Sequence, residues 1–422
     1  MLFALGSAMC GLTSDMGLLI AGRCVQGLAV ALFSTSPLSI VGDVFPADRH
    51  GLAFSIWAAI GAVGSAVGPL VGGALTDLLG WRWFFFINLP VAALTIALVL
   101  AIVPESRDEN ARGPLDSWGF VTITLGLAAL VYGLQAGDDC GWTAPVVLGA
   151  LALGVAMLLA AARVEIRSPQ PLIEPGLFLQ RGYPAVLAVA IAGNFGFSAV
   201  IFFSALYLQG PLGLPPLQAG LAMIAFSLCF VVTLPLAGTL VQRIAPRTLL
   251  MIGMALMTAA CLIFTLHGLY WLVAGLAVAG VGQGLAFNTS TTAAMDAVPA
   301  AKSGEASGVL NATRQLGSTL GIAVAGAMFQ TIESWGLLAA MQGHVALDST
   351  QASLVRELSS GSSAAKSVVA GLAPAFQGEI EAVTSSVFAA SFRGAMLLCA
   401  AVSLAGIIAA FSARPLQPSA ER

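Results

Sequence analysis

The sequence predicts an all-α, polytopic membrane protein assembled from related helical bundles, and three observations carry that prediction. Of the 422 residues, 58% are hydrophobic and 9% charged, with a mean hydropathy of +0.93, whereas a soluble domain usually carries about 25% charged residues. The apolar residues fall in long unbroken runs, and a bilayer core of about 30 Å takes about 20 apolar helical residues per crossing. A short stretch near the start of the chain also recurs far downstream, as a repeat of helical units would produce.

Taken in order, the runs cover 1–14, 18–42, 52–76, 83–103, 116–136 and 143–162, then 184–208, 217–240, 248–266, 270–294, 305–331 and 394–412. The first is too short to span alone. Met1 opens directly into it, with neither a basic region nor a small-residue cleavage site, so no removable signal peptide is expected. Between the last two runs, 333–392 is rich in Ala, Ser and Gly and thinly charged, and is expected as a long extracytoplasmic loop. Its runs LVREL and EIEAVTSSVFAASF leave amphipathic or interfacial helices open as an alternative.

Positive charge orients the spans. With Met1 cytoplasmic, one set of connections holds Arg49, Arg107, Arg112, Arg163, Arg167, Arg181, Arg243, Arg247 and Lys302, and the tail adds Arg414 and Arg422. The opposite set holds Arg82, Arg356, Lys366 and Arg393. Both termini are therefore expected in the cytoplasm, with an even number of spans between them.

Several function classes drop out. A net charge of -3 without a basic stripe excludes nucleic-acid binding. Cys10, Cys24, Cys140, Cys229, Cys261 and Cys399 form no CxxC pair, and His50, His267 and His344 have no ligand-like neighbours, so no metal or cofactor is expected. No nucleophile–base constellation lies at membrane depth, which argues against an enzyme.

Gln26-Gly27-Leu28-Ala29 recurs as Gln283-Gly284-Leu285-Ala286. Further on, Pro46-Ala47, Gly51 and Ala53 match Pro299-Ala300, Gly304 and Ala306, so the copies stay in step through a span, a loop and the next span. The matching segments are the second and the tenth, a separation of eight spans. Six-span units with two inserted central spans explain this and place two further spans ahead of the first run.

Arg23 interrupts an apolar helix, where a guanidinium is costly unless it faces protein, water or carbonyls. A role in function and simple snorkelling to the interface both fit. In the third run Gly61, Gly64, Gly68 and Gly72 recur at three- and four-residue spacing, with Pro69 and Gly73 beside them. Such a stripe admits a neighbouring helix closely; it serves packing or a specific closure. The Gly68-Pro69 step removes one backbone hydrogen bond.

Here the sequence resembles a known family. Arg23 to Gly27 resembles the fourth-span motif of the major facilitator superfamily, and Gly61 to Gly73 its fifth-span antiporter motif. Trp81-Arg82-Trp83-Phe84-Phe85-Phe86-Ile87-Asn88-Leu89-Pro90, and Pro171-Leu172-Ile173 with Leu177-Phe178, are similar to segments of its fourteen-span drug:proton antiporter branch. The resemblance implies major facilitator-type bundles, here with about 12 transmembrane helices. Residues 1–104 would form an incomplete first bundle, 105–165 the two extra central spans and 166–422 the second bundle.

It further implies alternating access in the plasma membrane, with export of hydrophobic or cationic drugs driven by proton entry. Arg23, Gln26 and Gly27 would serve proton coupling, and the glycine-proline span would control closure. Partners would be a small-molecule substrate, protons, the lipid bilayer and a periplasmic adaptor. Transport of a metabolite, peptide or lipid-like solute, and an inactive remnant, stay open as alternatives. The family's first-span acidic residue and its basic second loop have no counterpart, although Gly238 to Arg243 with Arg247 resembles a second copy of that loop. Asp15, Asp43, Asp77 and Glu305 all fall near span ends.

In the second unit Asn194, Gln283, Asn288, Asn311, Arg314 and Gln315 are polar residues in apolar helices. Asn311, Arg314 and Gln315 share one face, expected to turn inward. They line a substrate cavity or supply interhelical hydrogen bonds. Trp57, Phe195, Phe197 and Phe287 are candidates for an apolar wall or for ordinary packing.

Overall fold

Long apolar runs without period-two alternation form helices in a bilayer because each backbone N–H must find its carbonyl within the same segment. The computed structural model describes residues 1–33, 50–103, 117–167, 175–180, 182–266, 268–298, 303–342 and 374–412, and no strand occurs among them. The helices are α1 (Leu2–Leu12), α2 (Met16–Phe33), α3 (His50–Leu79), α4 (Trp83–Phe86), α5 (Asn88–Ile102), α6 (Ser117–Cys140) and α7 (Pro145–Arg167). They continue as α8 (Tyr183–Gln209), α9 (Pro216–Leu240), α10 (Pro246–Ile263), α11 (Leu269–Asp296), α12 (Ser303–Gln342) and α13 (Pro374–Ser412). The protein is an all-α membrane-spanning bundle. Among the described residues, 8 helices are long and apolar enough to cross a membrane.

The expected spans that fall short of that measure do so for visible reasons. α1 has 11 residues, and α2 and α3 contribute the shorter apolar pieces Met16–Val30 and Leu70–Leu79. In α12 the residues Asn311, Thr313, Arg314, Gln315, Ser318 and Thr319 dilute the apolar content. The 333–392 stretch is helical at both ends: α12 runs on to Gln342, and α13 begins at Pro374. Its alanines, glutamates and leucines are good helix formers, so each helix continues beyond the length that a bilayer requires. Residues 343–373, with LVREL, lie outside the described residues, as do Pro46-Ala47, Pro299-Ala300 and Pro171-Leu172-Ile173.

The chain divides into two compact units: Met1–Arg112 with Leu214–Ile224, and Gly113–Gly213 with Ala225–Arg422. In the first, α3 ends where Gly80 takes a positive φ of 92° and its N–H closes on the Thr76 carbonyl at 3.1 Å. Arg82 in the following turn donates to the Thr13 carbonyl (3.3 Å) and the Ser14 hydroxyl (3.0 Å), fixing the start of α4 against the end of α1.

In the second unit α6 and α7 form a tight hairpin, with Gly133 against Leu151 and Gly154 against Leu130. The core joins α8, α10, α11, α12 and α13 through Tyr183, Val186, Leu250, Met254, Ala286, Leu310 and Ala410. The Tyr183 hydroxyl donates to the Ala306 carbonyl at 2.9 Å. Towards the other end of α8 an aromatic cluster closes the bundle, with Phe203 stacked on Phe329 (5.2 Å) and Tyr207 on Phe392 (4.9 Å).

Candidate functional site

Polar side chains inside the spans converge at two places, one in each unit. In the first, Arg23 and Gln26 lie one turn apart on α2, so their side chains meet. Arg23 Nη1 donates to Gln26 Oε1 at 2.9 Å, and Gln26 Nε2 donates to Ser7 Oγ of α1 at 2.7 Å. Asn88 of α5 donates to the same Ser7 oxygen at 3.3 Å. A hydrogen-bonded chain thus joins three helices, its cation exposed at one end and Ser7 (0% exposed) and Gln26 (3% exposed) buried within.

Close glycine contact lets those helices approach. A methyl added at Gly6 would come within 2.8 Å of the Gly22 carbonyl oxygen. Gly27 faces open space, and so do Gly61, Gly64 and Gly68, where an added methyl meets no described atom within 4 Å. Gly72 lies against Phe84, and Gly73 against the backbone of Pro216. Pro69 lies within α3.

In the second unit Arg314 is buried, 7% exposed. Its Nη2 donates to the Phe287 carbonyl (2.8 Å), Ser290 Oγ (2.9 Å) and Thr291 Oγ1 (2.7 Å), all on α11. Its guanidinium carbon lies 3.8 Å from the Phe287 ring centroid. The buried Nε–H has no acceptor among the described residues. Asn311 and Gln315, expected on the same inward face, are exposed. Asn288 is half-buried and faces Gly238 of α9. Asn194 donates back to the Ala190 carbonyl at 2.9 Å, and buried Gln283 Oε1 has no donor among the described residues. Phe195 is buried and Phe197 half-buried, while the Trp57 side chain lies outside the described residues.

Sequence reasoning missed Ser7, Asn88 and Glu333. Ser7 and Asn88 sit in helices whose mutual contact no local pattern announces. Glu333 lies one turn beyond Phe329 in α12, buried at 8% exposure, inside the stretch expected as a loop. The described carboxylates Asp15, Asp77 and Asp296 are exposed. Asp15 accepts the Leu18 N–H at 2.8 Å, the geometry of a helix N-cap. Among the described residues no cluster could hold a metal ion.

The model of the Major Facilitator Superfamily matches residues 1–177 and 185–347. The chain belongs to that superfamily. Among its relatives, Multidrug resistance protein Stp of Mycobacterium tuberculosis is 35% identical over 383 residues, 88% of this chain and 70% of the relative. Methylenomycin A resistance protein of Streptomyces coelicolor is 34% identical over 342 residues, 79% of this chain and 71% of the relative. The fold matches a bacterial homolog of the human lysosomal transporter Spinster, crystallised inward-facing and occupied, with a TM-score of 0.63 at 17% identity over 98% of this chain and 80% of that one. As a major facilitator the protein is a multi-pass membrane transporter of small molecules rather than an enzyme.

Proposed function

We propose that the protein exports hydrophobic drug-like compounds across the plasma membrane by proton-coupled alternating access, with both termini cytoplasmic. The observation that carries this is the identity to proteins named for multidrug and methylenomycin A resistance across most of the chain. The hydrogen-bonded chain from Arg23 to Ser7 and Asn88 supports a coupling role for Arg23, Gln26 and Gly27. We also place the chain in the fourteen-span branch, with the α6–α7 hairpin as its two central spans and the glycine-proline stretch of α3 as the closure element.

The chemistry divides the labour. A guanidinium keeps its proton at all working pH values, and Gln26, Ser7 and Asn88 do not titrate, so this chain can orient charge but cannot carry the coupling proton. A titratable group must do that, and Glu333 is the buried carboxylate among the described residues. The substrate-facing groups on this reading are Asn194, Gln283, Asn288, Asn311, Arg314 and Gln315.

The test is efflux of the neutral hydrophobic dye Nile red from exporter-deficient cells expressing the protein. Expression should lower Nile red accumulation, and a protonophore should abolish the effect. Arg23→Ala should remove gradient-driven efflux at unchanged protein abundance. Accumulation equal in expressing and control cells for Nile red and for other hydrophobic dyes of either charge would overturn the export reading, and efflux indifferent to both the protonophore and Arg23→Ala would overturn the coupling.

A further inference from the structure

A row of phenyl rings crosses the second unit and ends on Arg314. Phe197 of α8 lies 5.4 Å from Phe226 of α9, Phe226 is stacked 5.9 Å from Phe230, and Phe230 meets Phe287 of α11 edge-on at 6.0 Å. Arg314 then covers the Phe287 ring. Phe226 is buried, but Phe197, Phe230 and Phe287 are each half-buried, so the row presents three partly open rings. Asn311 and Gln315 are exposed on either side of Arg314 along α12.

The charge on this wall is one-signed. α8 and α9 contain no charged residue, and in α11 the only one is Asp296 at its last position, more than one turn beyond Thr291 and exposed. Neutral oxygens of α11 hold the Arg314 cation, its Nε–H lacks an acceptor, and no carboxylate among the described residues neutralises it there. A desolvated cation of this kind attracts an anion or a strong acceptor and repels a second cation. The rings beside it favour a flat aromatic body.

We propose that Arg314 and the phenyl row ending at Phe287 recognise planar aromatic compounds bearing an anionic or strongly accepting oxygen, such as a carboxylate or phenolate, and select against permanent cations. This rests on the export reading and reverses, for this wall, the cationic preference that the family resemblance implies. The acceptor oxygen takes the guanidinium edge that α11 leaves unused, and the ring system lies along Phe287 and Phe230.

The experiment compares two dyes with the same xanthene ring and opposite charge. Fluorescein is anionic at neutral pH and rhodamine 6G is cationic. Binding to the purified chain in lipid nanodiscs is read by fluorescence anisotropy. Fluorescein should bind tighter by about tenfold, the size of one charge-assisted hydrogen bond. Arg314→Gln should remove that preference while rhodamine 6G binding is retained, and Arg314→Lys, which keeps the charge, should keep part of it.

An unchanged dye ratio in Arg314→Gln would overturn the inference while leaving export intact. So would parallel loss of both dyes with a lowered melting temperature in both variants, which would make Arg314 a structural clamp. Failure of the unmodified chain to bind either dye, together with no efflux of them from cells, would instead remove the export reading on which the inference rests.

Discussion

The two units carry the same sequence pattern on helices that pack differently. In both, the helix bearing Gln-Gly-Leu-Ala meets the helix before it through a glycine pair: Gly6 with Gly22 in the first unit, Gly253 with Gly282 in the second. Beyond that pair the copies diverge. Gln26 is bonded on both sides, whereas Gln283 Oε1 has no donor. At the position of Arg23 the second copy has Gly280, pressed against the Phe226 carbonyl of α9. Gly27 faces open space, while Gly284 is closed against Thr233 and Phe230.

The following spans repeat the contrast: Gly317 and Gly321 of α12 stand to Arg314 as Gly64 and Gly68 of α3 stand to Gly61. The α12 glycines are sealed on the Ile191 and Phe195 carbonyls of α8, whereas a methyl added at their α3 counterparts meets no described atom within 4 Å. A repeated sequence thus fixes where helices can approach, not whether they do. The first copy of the pattern holds a cation by a side-chain amide. In the second unit the cation has moved to the next helix and is held by backbone and hydroxyl oxygens.

The largest test of this contrast is the pair Gly321→Ala and Gly68→Ala. A methyl at Gly321 has no room beside the Phe195 carbonyl and the Ser198 hydroxyl, so it should cost about 1–3 kcal/mol by overpacking. The same change at Gly68 should leave the melting temperature unchanged or raise it, since alanine is the better helix former. Thermal melting of the solubilised protein reads both. Equal destabilisation would mean that the α3 stripe is as tightly closed as the α12 stripe, and the contrast would disappear.

Next in size is Gln26→Leu against Gln283→Leu. Removing Gln26 strands the Arg23 guanidinium and takes a donor from Ser7, which should cost about 1–2 kcal/mol and impair efflux. Gln283→Leu removes a buried acceptor that has no donor, so stability should hold or improve. A larger loss at Gln283 than at Gln26 would break the comparison and indicate that a bound water or substrate group normally satisfies the second amide.

These residues also mark how far the sequence was readable. Spans such as 184–208 and 217–240 were legible because the bilayer imposes one length and one polarity on every crossing, and α8 and α9 follow them within a residue or so. Arg23 and Gln26 were legible as members of one motif a turn apart, but their hydrogen bond was not. Its continuation to Ser7 and Asn88 was equally hidden, because contacts across helices depend on packing angles that no local spacing encodes. For the same reason Arg314 was visible as a polar residue in a span, but its seat on Phe287 was not. Glu333 was hidden differently: Ala- and Ser-rich sequence past Phe329 is equally compatible with loop and helix, and tertiary contact, such as that of Gly336 with Val387, decides for helix.

The smallest expected effect is at Gly27. An added methyl there meets no described atom within 4 Å, and the site lies in the interior of a regular helix, so Gly27→Ala should stabilise the protein by about 0.5–1 kcal/mol. Gly284→Ala, with the Thr233 side chain 2.8 Å from the new carbon, should do the reverse. The informative measurement is efflux by the stabilised Gly27→Ala protein. Full activity makes the open face of α2 a passive surface. Activity lost at gained stability makes it a surface that closes, or a helix that flexes, during the transport cycle.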